Sequence, residues 1–190
     1  VHDVFFCVWW YKLFNRSKRI FVTFHGWEGI YPVPWKNIIV RKISEKMADG
    51  NICVGEFIKK YYFTSPDFVI FGAAEKVRRP KIVRKDAIYV GRGGKDLEFY
   101  NALAKNRKVK LDVFTIDPQA SENFYKYKYA FVNGYLAILE AMSQGTPVTT
   151  SYANQLKYDY LTMTPFNSSG YQIPTWADIA DIYEILWQIK

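Results

Sequence analysis

Short runs of β-branched and aromatic residues alternate with longer amphipathic segments along most of the chain, and this alternation restricts the fold. Apolar runs of this kind, bounded by polar residues and glycines, are typical of buried strands. The predicted strands are Val4–Trp10, Arg19–Phe24, Asn51–Val54, Phe68–Phe71, Ala87–Val90, Leu111–Ile116, Ala130–Val132 and Val148–Ser151.

The amphipathic segments between these strands have the spacing of helices. In Trp35–Ala48, apolar residues recur at intervals of three and four, which predicts one apolar helix face. Gly145 is placed to end the helix over Leu136–Gln144, because glycine readily adopts the conformation that closes a helix. Strands that alternate with helices predict an α/β fold built on mostly parallel sheets. The other predicted helices are Glu56–Tyr62, Asp96–Lys105 and Trp176–Lys190.

A polar and basic stretch, Glu75–Asp86, divides the alternating pattern into two halves and is predicted to be an interdomain linker. The expected domains are residues 1–78 and residues 79–190. Of the 190 residues, 49% are hydrophobic, which is enough for packed cores and too much for general disorder.

The formal net charge of +8 favours either a polyanionic or phosphorylated partner or, equally, simple solubility. Cys7 and Cys53 lie inside apolar runs without metal-ligand spacing, so we expect two reduced, buried thiols and no metal site. The longest clean apolar run, Val4–Trp10, is too short to span a bilayer and follows Asp3 rather than a basic segment. We therefore expect a soluble, cytoplasmic protein.

Two of the predicted strands end in residues suited to binding, and ligands of open parallel sheets bind beyond the carboxyl ends of strands. His25 follows the second strand and either presents its imidazole to a cleft or simply packs there. The turn Gly91–Lys95 combines glycines, which let a backbone approach phosphate closely, with Arg92 and Lys95. An ordinary strand-to-helix turn is the alternative interpretation.

A third strand end, Asn133–Leu136, enters the predicted helix that carries Glu140. A helix N-terminus offers N–H groups and partial positive charge to an anion, and Glu140 is near enough to reach a ribose hydroxyl beside it. Alternatively, Glu140 is an ordinary surface residue. A fourth candidate is the run of basic side chains in the linker, which either attracts anions or is simply solvated. These residues are Lys76, Arg78, Arg79, Lys81, Arg84 and Lys85.

The predicted helix Trp35–Ala48 carries Lys36, Arg41, Lys42 and Lys46 opposite its apolar face. A helix of this composition can lie on an anionic membrane, so peripheral membrane contact is one interpretation. The other is a helix whose apolar face packs on the core and whose basic side is merely exposed.

Taken together, these stretches resemble the retaining glycosyltransferases of the GT-B fold, specifically family 4, in a minimal or truncated form. The segment Leu139–Val148 (LEAMSQGTPV) is very similar to the donor-site helix of that family and the strand after it. Ile88–Arg92 resembles the opening of the family's C-terminal domain, and Ile52–Tyr61 resembles a stretch near the end of its N-terminal domain. Val22–Gly26 resembles the strand and histidine that line its cleft.

The resemblance implies two Rossmann-like domains facing across a cleft, with an N-terminal domain shorter than usual. It implies metal-independent transfer of a sugar, with retention of configuration and no cofactor, from a nucleotide-sugar to an unknown glycan, lipid or protein acceptor. The implied site residues are Glu140 on the donor ribose, Arg92 and Lys95 on the diphosphate, Gly134, Tyr135 and Leu136 beside the phosphate and sugar, and His25 as the catalytic residue facing the transferred sugar.

One position departs from the family pattern in a way that bears on catalysis. The family carries an acidic residue eight positions before the helix glutamate, and here that position is Val132, followed by Asn133. A degenerate protein that binds the donor without turnover is therefore the main alternative to an active enzyme. A basic nucleic-acid-binding protein is a further alternative, although the sequence has no known motif of that kind and its aromatic residues lie in core-like runs.

Overall fold

The computed structural model describes residues 10–26, 29–77, 80–115, 117, 119–163 and 171–189. The described residues do not include most of the predicted strand Val4–Trp10, namely residues 4–9 with Cys7 among them. They also do not include Arg78 and Arg79 of the predicted linker. Trp10 itself is helical, in a segment that continues to residue 14, so the predicted strand does not extend to it.

The described chain is a mixed α/β protein in which the paired strands are parallel, as the alternating pattern predicted. Its elements are β1 (Phe21–Phe24), α1 (Trp35–Met47), β2 (Gly50–Cys53), α2 (Glu56–Tyr62), β3 (Phe68–Val69), β4 (Lys85–Gly91), α3 (Lys95–Asn106), β5 (Leu111–Thr115), a 3-10 helix (Ala120–Lys126), β6 (Tyr127–Val132), α4 (Tyr135–Ser143), β7 (Val148–Thr149), α5 (Gln155–Thr162) and α6 (Trp176–Ile189). The 3-10 helix and α5 were not predicted. Within the described residues, no helix has both the length and the apolar character needed to cross a bilayer.

The chain folds as two compact units. Unit 1 comprises the described residues within Val1–Phe71, Ala153–Ser169 and Ala180–Lys190, and unit 2 comprises those within Gly72–Tyr152 and Gly170–Ile179. Unit 1 contains a three-stranded sheet in the order β1-β2-β3. Unit 2 contains a four-stranded sheet in the order β5-β4-β6-β7.

The core of unit 1 is built on its central strand. All of β2 is buried, and it ends in Cys53, a buried free thiol whose pKa is raised by burial. The buried side of α2 consists of Phe57, Ile58 and Tyr62. The Phe57 ring meets Tyr160 of α5 edge to face, with 4.9 Å between the ring centroids. The returning segment that contains α5 therefore completes the core of unit 1.

Arg41 corrects the sequence-based picture of α1. The sequence predicted it among the exposed basic residues, but only 6% of it is exposed. Its guanidinium carbon lies 3.6 Å from the centroid of the Tyr62 ring, and Nη2 donates a hydrogen bond to the carbonyl oxygen of Gly26. An aromatic face and a carbonyl acceptor replace part of the water that a guanidinium loses on burial. Helical spacing alone cannot reveal such partners, because they come from other elements.

A buried carboxylate joins α2 to α5. Asp159 accepts hydrogen bonds from Tyr61 Oη at 2.8 Å and Gln155 Nε2 at 3.0 Å, and it also pairs with Lys60. Burial by itself raises the pKa of Asp159, but the hydrogen bonds from Lys60, Tyr61 and Gln155 outweigh burial and hold that pKa below its usual value. Burial, reinforced by the bond to Asp159, raises the pKa of Tyr61 to about 12.

Replacing Asp159 with asparagine is expected to lower the free energy of unfolding by about 1.5–3 kcal/mol near neutral pH, because the network loses its charged acceptor. The folded-state pKa is lowered, so this stabilisation is complete above the unfolded pKa of about 3.9 and is lost as pH falls through the folded pKa. Urea denaturation across this pH range measures the difference from wild type. Glu184→Gln, at an exposed carboxylate of α6, is the control, and a difference independent of pH would contradict the role of the charge.

The core of unit 2 lies between its sheet and α3. It consists of Ala87 and Tyr89 of β4, Phe131 of β6, and Tyr100 and Ala104 of α3, all nearly or fully buried. The rings of Tyr100 and Phe131 stack, with centroids 5.2 Å apart and planes inclined by 13°. This packing attaches α3 to the two central strands of the sheet.

The predicted linker Glu75–Asp86 extends too far, because β4 already begins at Lys85. The Lys85 ammonium lies 2.8 Å from the carboxylate of Asp112 on β5, and the Asp86 carboxylate lies 2.9 Å from the ammonium of Lys128 on β6. Both lysine side chains are exposed, so solvent weakens these pairs. Polar composition suggested a linker, whereas these charges lie at the start of β4, one of the two central strands.

Candidate functional site

The site is built at the carboxyl ends of the two central strands of unit 2. β4 pairs with β5 on one side and with β6 on the other. The chain adds β5 to one side of β4 and then crosses to the other side to add β6 and β7, so the strand order reverses between β4 and β6. In open parallel sheets the crevice at such a reversal is the usual place for a ligand, since the loops on its two sides diverge. Val90 pairs with Val132 in the last register position, so the loops after the two strands begin at the same level.

The loop after β4 is a glycine turn held by Tyr89. Gly93 and Gly94 have φ angles of +83° and +67°, a region that favours glycine. The N–H of Gly93 donates to Tyr89 Oη at 3.2 Å, and a Cβ atom on Gly91 would overlap with the same oxygen. The side chain of Arg92 within this turn is exposed. The turn therefore presents bare backbone and one cation at the reversal point.

The loop after β6 is fixed by the side chain of Asn133. Its Oδ1 accepts hydrogen bonds from Tyr100 Oη at 2.5 Å and from the Ser151 N–H at 2.9 Å, while its Nδ2 donates to Ser151 Oγ at 2.8 Å. Burial raises the pKa of Tyr100 to about 12, so its hydroxyl stays a neutral donor near pH 7. Asn133 thus ties the end of β6 to α3 and to the segment after β7.

The helix that follows, α4, has an N-terminus suited to an anion. Its N-cap residue is Gly134, which makes no side-chain capping bond, and its first turn has no acidic residue. The N-terminus of α3 is likewise capped by a glycine, but its first turn contains Asp96 and Glu98, which oppose an anion. Lys95, the first residue of α3, is exposed. Of the two helix N-termini at the reversal point, α4 is therefore the more favourable for phosphate.

Glu140 lies on the side of α4 that faces away from the core. Ile138, Leu139 and Ala141 are buried, whereas Leu136 is exposed and Glu140 is half-buried. Leu136 and Glu140 are four residues apart and so share one helix face. Glu140 comes five residues after Tyr135, which corresponds to about 7.5 Å along the helix axis. A phosphate bound at the N-terminus of α4 would therefore have Glu140 further along the same helix.

The segment 72–75 runs along α4 and holds its first residue in place. The Gly72 N–H donates to Tyr135 Oη at 2.9 Å, and Ser143 Oγ donates to the carbonyl oxygen of Glu75 at 3.3 Å. A Cβ atom on Gly72 would lie 2.6 Å from the Tyr135 ring and 3.0 Å from Leu139 Cδ1. Gly72 is therefore required by close approach to α4.

Gly72→Ala is expected to lower the free energy of unfolding by about 1–3 kcal/mol, because the added methyl group overpacks against Tyr135 and Leu139. Urea denaturation measures this loss. Gly134→Ala is the comparison for an added methyl group, because its Cβ would lie 3.8 Å from Ala137 Cβ, in ordinary contact. Equal losses in the two variants would contradict the close packing of segment 72–75.

The structure brings several of the predicted site residues to one edge of unit 2. Arg92 follows β4, and the loop after the neighbouring strand β6 leads into Gly134, Tyr135 and Leu136. His25 belongs to unit 1, where it follows β1 and is exposed. The sequence-based interpretation missed the side chains that shape the two loops. These are Tyr89 at the glycine turn, and Tyr100, Asn133 and Ser151 in the hydrogen-bond network after β6.

Among the described residues, no group of three or more histidine, cysteine, aspartate or glutamate side chains is arranged to hold a metal ion. Comparison with protein-family models and with curated protein sequences finds no match to this chain.

Proposed function

We propose that unit 2 binds the nucleoside diphosphate of a nucleotide-sugar and that the protein is a retaining glycosyltransferase of the GT-B type, similar to family 4. The observation that carries the proposal is the reversal of strand order between β4 and β6, with Arg92 following one of these strands and the N-terminus of α4, which has no side-chain capping bond, following the other. The similarity of Leu139–Val148 to a donor-site segment is the reason for choosing a nucleotide-sugar as the ligand.

In this proposal the diphosphate binds at the N-terminus of α4, against the backbone of Gly134, Tyr135 and Leu136. Arg92 reaches it from the turn after β4. When the bond between the sugar and the diphosphate breaks, negative charge grows on the leaving phosphate, and the helix N-terminus and the guanidinium stabilise that charge. The acceptor oxygen forms the new bond to the sugar, and its proton passes to the leaving diphosphate, which has gained the negative charge.

The remaining roles follow from chemistry and from the resemblance. The Glu140 carboxylate accepts hydrogen bonds from the ribose hydroxyls, and Lys95 supplies further positive charge near the phosphates. The catalytic role of His25 rests on the resemblance alone.

A degenerate protein that binds the donor without transfer is the second candidate, and one observation favours it. Val132, at the position where the family carries an acidic residue, is completely buried at the end of β6. Asn133, the next residue, is held by Tyr100 and Ser151. Neither residue supplies a carboxylate to a donor sugar.

Titration calorimetry with a panel of nucleoside diphosphates tests the binding part of the proposal, and we expect saturable binding that is unchanged by EDTA. Incubation of the protein with nucleotide-sugars and candidate acceptors then separates the two candidates, since only a transferase releases nucleoside diphosphate. Binding that disappears in EDTA and returns with a divalent ion would contradict the metal-independent site. Failure to bind any nucleoside diphosphate would overturn both candidates.

A further inference from the structure

The outer face of α1 combines large apolar side chains with lysines. Trp35 is 74% exposed, Ile39 is 45% exposed and Ile43 is 47% exposed, so the apolar stripe that their spacing predicted is not packed on the core. The buried residues of α1 are instead Arg41 and Ser44. Because Arg41 packs against the Tyr62 ring and Gly26, the helix is turned so that its most apolar residues point outward.

The lysines of α1 lie among these apolar residues. With about 100° between successive residues, Trp35, Ile39 and Ile43 lie at about 0°, 40° and 80° around the helix. Lys42 and Lys46 lie at about −20° and 20°, and Lys36 at about 100°, on the same face. All three lysines are exposed. The two residue types therefore form one surface, which we call the α1 face: Trp35, Lys36, Ile39, Lys42, Ile43 and Lys46.

The charge of the α1 face selects among possible occupants. The single acidic residue of α1, Glu45, lies on another side of the helix and accepts a hydrogen bond from the Ser65 N–H. A second copy of the chain would bring two sets of three lysines together, and their repulsion disfavours self-association. A surface that is negatively charged and apolar beneath suits both the lysines and Trp35.

The neighbouring segment has a similar composition. Lys12 Nζ donates to the carbonyl oxygen of Met47 at 3.4 Å, so the helical residues 10–14 adjoin the carboxyl end of α1. Leu13 and Phe14 of this segment are exposed, as is the nearby Arg16. Apolar and basic side chains therefore continue beyond the α1 face within unit 1.

We propose that the α1 face docks unit 1 onto an anionic lipid bilayer, with the lysines at the phosphate level and Trp35, Ile39 and Ile43 at the boundary with the acyl chains. This inference does not depend on the proposed glycosyltransferase function. It follows one of the two sequence-based interpretations of this helix, except that the lysines lie among the apolar residues rather than opposite them.

Vesicle flotation compares phosphatidylcholine vesicles with vesicles of equal parts phosphatidylcholine and phosphatidylserine. We expect binding to the anionic vesicles alone, weakened by salt. A lysine near an anionic surface contributes about fivefold to binding, which corresponds to about 1 kcal/mol, so the triple variant K36Q/K42Q/K46Q should bind about a hundredfold more weakly. The matched control K105Q/K108Q/K110Q removes the same charge from exposed lysines of unit 2 and should change binding less than about threefold.

A second measurement locates the inserted residue. Phosphatidylserine vesicles with brominated acyl chains should quench tryptophan fluorescence of the wild type, and most of that quenching should disappear in Trp35→Phe, which keeps an apolar ring. No binding of the wild type to anionic vesicles, equal binding to neutral ones, or equal losses in the two triple variants would overturn the proposal. Quenching that is unchanged in Trp35→Phe would also overturn it, because another surface would then be inserted.

Discussion

Nucleoside-diphosphate binding is expected to weaken by about tenfold to a hundredfold when Glu140 is replaced by alanine. A carboxylate can accept two hydrogen bonds from a ribose diol, and hydrogen bonds to a charged group contribute about 1.5–3 kcal/mol, while about 1.4 kcal/mol is tenfold in affinity. Glu140 is half-buried on the outward side of α4, beyond the N-terminus proposed to hold the diphosphate. Titration calorimetry against several nucleoside diphosphates measures the change.

Three variants give this experiment its controls. Glu140→Gln keeps the size of the side chain and one acceptor oxygen, so its loss should be smaller than that of Glu140→Ala. Glu122→Ala removes an exposed carboxylate of the 3-10 helix that precedes the amino end of β6, and affinity should not change. Arg92→Ala should weaken binding on its own. If affinity is unchanged in Glu140→Ala but falls in Arg92→Ala, the assignment of Glu140 to the ribose is wrong. If affinity is unchanged in both variants, the proposed binding site in unit 2 is wrong.

The largest effect on stability is expected from Phe131→Ala, which should lower the free energy of unfolding by about 3–5 kcal/mol. Phe131 is fully buried in the central strand β6 and stacks on the ring of Tyr100. Truncation removes the buried apolar surface and leaves a cavity beside Ala87 and Tyr89, which belong to the same core cluster. Urea or thermal denaturation followed by circular dichroism measures the loss.

Phe99→Ala is the matched control, because Phe99 also meets the Tyr100 ring, with centroids 5.2 Å apart, but is half exposed on α3. Its replacement should cost less than about 1 kcal/mol, since little apolar surface leaves water there. Phe131→Leu leaves a smaller void and should retain the fold if Phe131→Ala does not. Similar losses for Phe131→Ala and Phe99→Ala would contradict the position of the core.

Most helices and strands were predictable from sequence because their signals are local. Hydrophobic spacing located α1, α2, α3 and α4 to within about two residues, the ordinary uncertainty of such boundaries. The helix α5 was missed, since its buried residues include the charged Asp159, which the pattern treats as a surface residue. Asn154 was an available sequence signal for the start of α5, because asparagine is a favoured N-cap residue. In the structure it caps α5 by accepting a hydrogen bond from the Lys157 N–H at 2.9 Å.

The candidate site was predictable in its separate parts but not in its connections. The glycine turn at Arg92 and the helix start at Gly134 both have recognisable composition. Tyr100 and Ser151 were missed as partners of Asn133, because they come from segments distant in sequence. A hydrogen bond of this kind becomes visible only when the strands have been assembled.

Local patterns in the amino-acid sequence were enough to predict the α/β class, the parallel character of the sheets, and the presence of a glycine turn and of a helix that begins after a glycine in unit 2. The strand order β5-β4-β6-β7, which brings the loops of Arg92 and Gly134 to adjacent strands, is set by tertiary packing. Tertiary packing also buries Arg41 and leaves Trp35 exposed. Spacing along the chain reports local periodicity, whereas strand order and the burial of a charge depend on partners that distant segments supply.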